Sequence, residues 1–251
     1  SKITSADRTG TCLARSAIVL KALNYAPTGA IIAAPTTSLP EQPGGERNWD
    51  YRFSWVRDSV FTVRGLSSLG LVSEADGFRS FIQRSAAGNA DELQVLYAVD
   101  GKRRLTEVKL DYLEGWRGSR PVRIGNAAEL QFQGDVYGML LELSARWSER
   151  GNSPAPAYWR FLVDLVEAAI AKWQLPDRGL WEVRSSPRHF VHSKVMCWVA
   201  VDRGIALAEA HGLAAPLKRW RRSRALMRRT IESRGVDPKR GEGVRARRRR
   251  P

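Results

Sequence analysis

Apolar residues recur every three to four positions through most of this chain, and this period predicts α helices. In the first such stretch Leu13, Ala17 and Leu20 share one helix face, and the pattern stops at an Ala-Pro pair at 26–27. Gly or Pro stands near the end of most later stretches, where helices commonly stop. Together these signals predict seven helices, over residues 11–25, 54–69, 73–87, 128–150, 155–173, 192–212 and 215–234.

Two stretches lack the helical period. Residues 27–47 are rich in Pro, Thr and Gly, which is typical of a loop. Residues 93–126 fit no periodic pattern, which predicts a long irregular excursion or a short hairpin, and such long connections are usually functional. No stretch is rich in strand patterning. The sequence therefore predicts an all-α fold, and helices joined alternately by short and long connections fit part of a closed helical toroid.

The net charge of +15 is concentrated at the end of the chain. Residues 217–251 contain 15 Lys and Arg against 3 Asp and Glu, which leaves a net charge of only +3 for residues 1–216. No run of 18 apolar residues is present, so we expect no membrane span. The N-terminal residues lack the apolar core of a signal peptide, and two cysteines are too few for a disulfide framework. These features favour the cytoplasm.

Residues 173–203 contain the strongest candidate for chemistry. Glu182 stands between Trp181 and Val183, after a Pro-Asp-x-Gly turn and before a predicted helix. An indole offers a flat face to a sugar ring, and partial burial can make a carboxyl group a proton donor near neutral pH. The alternative is a surface glutamate paired with Arg184 or Arg188, and these residues alone favour neither.

A second segment, residues 44–70, interleaves aromatic rings with charged groups. Rings stack on the C–H faces of sugars, and carboxylate or guanidinium groups hydrogen-bond pairs of hydroxyls. The alternative is a buried ion pair that ties a loop to a helix start, with the rings in the core. The side chains concerned are Trp49, Asp50, Tyr51, Arg52, Phe53, Trp55, Arg57 and Asp58.

Seven stretches in order, over about residues 10–235, resemble the catalytic domain of glycoside hydrolase family 15, the bacterial glucoamylase, glucodextranase and trehalase group. So many ordered stretches are far more specific than one short motif. They are APTTSLPE (34–41), GGERNWDYRFSWVRD (44–58), LQVLYAVDGKRRLTE (93–107), LEGWRGSRPVRIGNAA (113–128), QGDVYG (133–138), GLWEVR (179–184) and HSKVMCWVAVDR (192–203).

The resemblance implies a partial (α/α)6 barrel in residues 1–235, with about seven of the family's twelve helices. It implies an inverting hydrolase that releases glucose from α-glucosides such as trehalose or maltose-type oligosaccharides, without a cofactor. Glu182 matches the general acid of the family. Arg57 and Asp58 match its monosaccharide site, with Trp55 and Trp181 as walls. We expect Trp116 and Arg117 at the rim of this site or in a second one.

The same resemblance predicts an incomplete catalytic pair. The general base of the family lies later than the last residue here, so we expect it to be absent and the 251-residue chain to show no turnover. Residues 236–251 depart from the family pattern, and we expect a basic tail without fixed structure or an out-of-frame continuation. Helix faces left uncovered by the missing helices predict self-association.

Two other functions stay open. A non-catalytic carbohydrate-binding remnant would keep Arg57 and Asp58 but lack the base. The basic end would suit an acidic surface or nucleic acid, although no aromatic residue beyond Trp220 can stack on bases, so we expect no specific nucleic-acid partner. His189 and His192 have the spacing of a metal pair, but no third ligand stands nearby, and we expect no metal site.

Overall fold

The structure is a computed structural model that describes residues 8–86, 89–90, 93–235 and 246–247. The chain divides into two compact units. The first unit comprises Ser1–Ala87 and Gln94–Leu130, and the second comprises Gly88–Leu93 and Gln131–Pro251. Each unit has its own hydrophobic core. The prediction of a single domain over residues 1–235 stays a prediction.

The described residues of the first unit contain three helices. They are α1 (Arg8–Ala22), α2 (Val56–Ser68) and α3 (Ser73–Ser85). Helix α2 packs against both α1 and α3. Its inward face carries apolar residues three to four positions apart, as helical burial requires. The buried side chains of α2 and α3 include Val56, Val60, Val63, Leu66, Phe78, Phe81 and Ile82.

Short strands connect these helices. Among the described residues of the first unit, eight strands form four two-stranded antiparallel ladders, β1 with β2, β3 with β4, β5 with β6 and β7 with β8. They are β1 (Asn24–Tyr25), β2 (Ala30–Ile31), β3 (Thr37–Pro40), β4 (Asn48–Asp50), β5 (Ser54–Trp55), β6 (Leu96–Tyr97), β7 (Val108–Lys109) and β8 (Arg123–Ile124). Most of the region 93–126 is irregular, and 13 residues connect β7 to β8, so the region is a long irregular excursion that contains one short ladder.

The described part of the second unit contains four helices, and α6 packs against the other three. The ranges are α4 (Asp135–Glu149), α5 (Pro156–Lys172), α6 (Val191–His211) and α7 (Leu217–Gly235). Gly138 of α4 lies against the backbone of Met196 in α6, so these two helices approach closely. Helix α6 ends at Gly212, which adopts the left-handed conformation that commonly stops a helix.

Ion pairs join α6 to its neighbours. The guanidinium Nε of Arg203 donates to Glu142 of α4 at 2.7 Å, and Arg146 reaches the same carboxylate at 2.8 Å. Burial alone would raise the pKa of Glu142, but the hydrogen bonds and charges of Arg203 and Arg146 outweigh it and lower that pKa. Several arginines of α7 are neutralised in the same way, because Arg219, Arg221, Arg224 and Arg228 pair with Glu167, Glu209, Asp202 and Glu232.

The seven predicted helices are confirmed among the described residues, but α4 begins at Asp135 and not at 128. Residues Ala127–Leu130 form a 3₁₀ turn instead, in which the side-chain oxygen of Asn126 accepts a hydrogen bond from the amide of Ala128 at 3.0 Å. The amide of Gly134 is then bound by a distant carboxylate, that of Asp177, at 2.9 Å. These two contacts separate the turn from the helix.

The predicted tail, residues 236–251, lies outside the described residues except for β10 (Ala246–Arg247), which pairs with β9 (His189–Phe190). Across the described ranges, every helix is too short or too polar to span a bilayer. Self-association stays a prediction. The first unit does expose apolar side chains that would support it, among them Leu13, Ile18, Val19 and Phe61.

Candidate active site

The start of α2 carries the first predicted pair. Arg57 and Asp58 form an ion pair, with 3.0 Å between the guanidinium Nη2 and the carboxylate Oδ2. The side chain of Arg57 is 17% exposed and that of Asp58 is 39% exposed. Asp58 lies in the first turn of α2, where the helix dipole stabilises a negative charge. Arg57 is therefore held by the protein, while Asp58 remains open to a ligand.

Trp55 lies in the core and does not form an open wall. Its side chain is 2% exposed, and its ring packs 6.1 Å from the ring of Tyr51 and 6.4 Å from that of Phe53. Strand β5 places it there through pairing with β6, where Trp55 is opposite Leu96. The ring offers little surface to a sugar. Trp55 directly precedes the first residue of α2 and lies two residues ahead of the Arg57–Asp58 pair.

Asp50 is a structural carboxylate. It is 1% exposed, and its oxygens accept hydrogen bonds from the guanidinium of Arg52 at 2.8 and 2.9 Å. The amide of Gly125 donates a further bond to Oδ2 at 3.1 Å. The hydrogen bond to Asp50 raises the pKa of Arg52. Asp50 thus joins β4 to the segment after β8.

The loop at 113–120 has a tightly packed backbone, in which Arg117 has a φ of +51°. Gly115 has a φ of +75°, and a Cβ there would lie 2.1 Å from the carbonyl oxygen of Ser119. Trp116 is 48% exposed, and the guanidinium carbon of Arg117 lies 4.4 Å from its ring centre. The hydroxyl of Ser119 accepts a hydrogen bond from the amide of Gly44 at 2.8 Å. The loop therefore presents an indole with a cation over it.

Arg123, at the end of this region, is structural. It is 9% exposed, its Nη1 donates to the carbonyl of Glu46 at 2.8 Å, and its guanidinium lies 4.7 Å from the ring centre of Trp49. Its buried contacts hold the segment 44–49, whereas Trp116 and Arg117 are among the exposed residues of the loop at 113–120.

Glu182 and Trp181 lie in the second unit, on the loop between α5 and α6. Trp181 is 72% exposed and Glu182 is half-buried. Glu182 has a φ of +54°, in the left-handed region that costs a non-glycine residue about 1–2 kcal/mol. Such a conformation persists only where the surroundings impose it, and it is common at active sites. Its presence at the predicted acid is an independent sign of a functional position.

Backbone contacts impose this conformation. The amide of Glu182 donates to the carbonyl of Gly179 at 3.2 Å, and that of Val183 donates to Arg178 at 3.1 Å. The carbonyl of Glu182 accepts a bond from the side chain of Gln131 at 3.4 Å. Gly179 has a φ of +67°, and a Cβ there would lie 2.8 Å from the ring of Phe190. The turn that carries Glu182 is consequently tight and closely packed.

A polar cluster lies at the base of this loop, around Asp177. Asp177 is 1% exposed and contacts the loop and the start of α4. Lys194 of α6 donates to the carbonyl of Leu175. Burial lowers the pKa of Lys194, and the charges of Asp177 and Cys197 partly oppose this. The sequence showed Asp177 only as part of a Pro-Asp-x-Gly turn, so its wider role was missed.

Cys197, in the same cluster, is 1% exposed, and its thiol donates to the carbonyl of Gly134 at 3.2 Å. Burial raises its pKa from 9.0 to about 12. Cys12 is exposed. At pH 8 we expect one thiol of the native chain to react fast. The thiol of Cys197 should react at least about a thousandfold more slowly, because only the thiolate is nucleophilic.

A thiol-specific chromogenic reagent measures this directly, with two thiols expected after denaturation. A Cys12→Ser chain should lose the fast phase, and a fast phase that persists would contradict the burial of Cys197. The raised pKa of Cys197 also makes the stability of the fold depend on pH. Its stabilising contribution is complete below about pH 9 and is lost as pH rises towards 12, because the thiol ionises first in the unfolded chain.

The model of glycosyl hydrolases family 15 matches residues 8–249. The chain belongs to glycosyl hydrolases family 15. Among its family 15 relatives, the trehalase of Mycolicibacterium smegmatis is 51% identical over 232 residues, which cover 91% of this chain and 35% of the relative. The trehalase of Mycobacterium tuberculosis is 49% identical over 228 residues, 90% of this chain and 34% of the relative. The chain thus spans about a third of the length of these relatives.

A glucoamylase from Saccharomycopsis fibuligera shares the fold with this family 15 chain. The two superpose with a TM-score of 0.64 over 98% of this chain and 53% of the glucoamylase, at 15% identity. This likeness and the seven helices confirm the all-α class and the partial (α/α)6 barrel. Arg57, Asp58, Trp116 and Arg117 lie in the first unit and Trp181 and Glu182 in the second, so their convergence on one substrate stays a prediction.

Proposed function

We propose that this chain is part of an inverting glycoside hydrolase whose substrate is α,α-trehalose. The family assignment supports hydrolysis of a glycosidic bond. The substrate is supported by two relatives named trehalases, at 51% and 49% identity over nine-tenths of this chain. The observation that carries the proposal within this chain is Glu182, a carboxylate in a strained, backbone-fixed turn beside an exposed indole.

The proposed chemistry follows from the stereochemistry of inversion. A carboxylic acid protonates the leaving oxygen while a carboxylate on the opposite face of the sugar activates water, with roughly 6.5–9.5 Å between the two groups. We assign Glu182 as the acid and assign the base to none of the 251 residues. Because a proton donor acts mainly in the transition state, a rigid backbone at Glu182 reduces the cost of positioning it.

We assign the hydroxyls of the glucose unit to Asp58 of the first unit. Arg57 is mostly buried and pairs with Asp58, and the more exposed carboxylate of Asp58 accepts hydrogen bonds from sugar hydroxyls. Trp116 offers a half-exposed ring for stacking, and Trp181 offers another beside the acid. Trp55 takes no direct part, because its ring is buried in the core.

A chimera tests the proposal. Residues 8–235 of this chain replace the matching segment of the Mycolicibacterium smegmatis trehalase, and glucose release is followed with trehalose, maltose, isomaltose and starch. Early proton NMR spectra should show equal amounts of α- and β-glucose from trehalose, because inversion yields one β-glucose and the leaving unit stays α. Turnover of other substrates without trehalose would contradict the substrate, and α-glucose alone would contradict inversion.

Calorimetry separates the alternative of a carbohydrate-binding remnant. A chimera that binds glucose or trehalose without hydrolysing it would favour that alternative and leave Arg57 and Asp58 as its sugar site. The 251-residue chain by itself should release no glucose. Release of glucose by this chain would mean that one of its own carboxylates is the base.

A further inference from the structure

Asp177 lies at the point where three segments of the second unit meet. It is 1% exposed, and its two carboxylate oxygens bind amides from different segments. Oδ2 accepts from Gly134, next to the first residue of α4, at 2.9 Å, and Oδ1 accepts from Gly179 in the turn before Glu182, at 3.2 Å. One side chain therefore joins the Glu182 loop to the start of α4.

The backbone of Asp177 closes the neck of that loop. Its amide donates to the carbonyl of Arg188 and its carbonyl accepts from the amide of Arg188, both at 2.9 Å. The next residue, Arg178, donates its amide to the carbonyl of Phe132 at 3.1 Å. Glu182 lies inside this closed loop, five residues after Asp177, so its position depends on where the neck is fixed.

The negative charge of Asp177 is balanced within the same unit. Lys194 of α6 interacts electrostatically with Asp177, and the carboxylate charge raises the pKa of an ammonium group that burial lowers. A buried carboxylate is stable only where hydrogen bonds and an opposite charge replace its water. Both conditions are met here, which explains how a charged group can serve as the anchor of a loop.

We propose that Asp177 is a positioning residue that fixes the Glu182 loop against the start of α4 through its two amide contacts. For its effect on catalysis this inference rests on the proposed function, but for the geometry of the loop it does not. Asparagine has nearly the same shape but only one acceptor oxygen, so Asp177→Asn leaves one of the two amides without its partner. Asp177→Ala removes both contacts.

The loop geometry is tested on the 251-residue chain by hydrogen exchange. The peptide covering residues 178–185 contains the amides of Glu182 and Val183, which are bonded across the turn. In Asp177→Asn we expect these amides to exchange about tenfold faster, and in Asp177→Ala faster still, while peptides of α5 keep their rates. Asp164→Asn is the matched control, because this exposed aspartate on α5 lies in the same unit.

Exchange in residues 178–185 that stays at the unsubstituted rate in a folded Asp177→Asn chain would overturn the inference. The isosteric Asn variant keeps the test decisive if Asp177→Ala fails to fold. Circular dichroism establishes that each variant retains its helices, so that faster exchange in the loop is not a result of global unfolding.

Kinetics of the chimera test the catalytic consequence. With trehalose we expect Asp177→Asn to lower kcat by about tenfold or more with KM within about twofold, since a misplaced proton donor acts in the transition state. α-Glucosyl fluoride has a leaving group that needs no protonation, so its hydrolysis should change little. A fall in both rates to the same extent would mean that Asp177 acts only on folding. If the unsubstituted chimera releases no glucose, the proposed function fails and the exchange experiment still decides the role of Asp177.

Discussion

Replacing Glu182 with glutamine in the chimera should lower kcat for trehalose by about 10²–10⁴-fold, the usual contribution of general acid catalysis. Glutamine keeps the size of the side chain but has no proton to give to the leaving oxygen. The loss should appear in kcat and kcat/KM together, because a proton donor stabilises chiefly the transition state. Calorimetry with trehalose should show nearly unchanged binding.

Two comparisons make this result specific to proton donation. α-Glucosyl fluoride should retain most of its rate, because fluoride leaves without protonation. Glu149→Gln, at the exposed end of α4, removes a carboxylate from the same unit and should leave the rate with trehalose unchanged. If Glu182→Gln hydrolyses trehalose at the unsubstituted rate, the proton comes from another residue and the assignment of the acid is wrong.

The helices of this chain were predictable because their buried apolar residues recur every three to four positions. In α2, Val56, Val60 and Val63 are buried at the spacing expected for a helix that packs on one face. The start of α4 was not predictable, because a carboxylate 43 residues later in the chain binds the amide of Gly134. Local patterns contain no information about such a contact, so the predicted helix ran through a 3₁₀ turn.

The candidate site was predictable in part for a similar reason. Glu182, Arg57 and Asp58 became candidates through short motifs and family resemblance, and their roles stay predictions, whereas the exposure of each side chain depends on packing. Trp55 lies two residues before Arg57 and Trp181 one residue before Glu182, and yet one ring is 2% exposed and the other 72%. Strand pairing of Trp55 with Leu96 puts its ring in the core, and no pattern near either tryptophan distinguishes the two.

Asp177 shows where sequence reasoning stops. An aspartate in a Pro-Asp-x-Gly turn is expected to bind an amide two residues on, and its Oδ1 does accept from Gly179. The second contact, to Gly134, depends on the packing of α4 beside the loop. The left-handed conformation of Glu182 likewise has no sequence signal, because glutamate is not a residue type that favours it.

Gly138→Ala should destabilise the chain by about 2 kcal/mol or more, because it separates α4 from α6. A Cβ at Gly138 would lie 2.2 Å from the carbonyl oxygen of Met196 and 2.8 Å from its carbonyl carbon. These are backbone atoms of a packed helix, so they cannot turn away as a flexible side chain would. Alanine is intrinsically better than glycine in a helix by about 1 kcal/mol, so the steric conflict must first cancel that gain.

Gly65→Ala is the matched control, since Gly65 lies inside α2 and a Cβ there would meet only Leu20 Cδ1, at 3.5 Å. Replacing Gly65 with alanine should therefore stabilise the folded chain by up to about 1 kcal/mol. Thermal unfolding followed by circular dichroism measures both, with a fall of about 4–8 °C expected for Gly138→Ala and a small rise for Gly65→Ala. Helix propensity favours alanine over glycine at both sites. Changes of opposite sign in the two melting temperatures therefore attribute the loss at Gly138 to the close approach of α4 and α6. A rise in both melting temperatures would show that the helices are farther apart than the contact at Met196 requires.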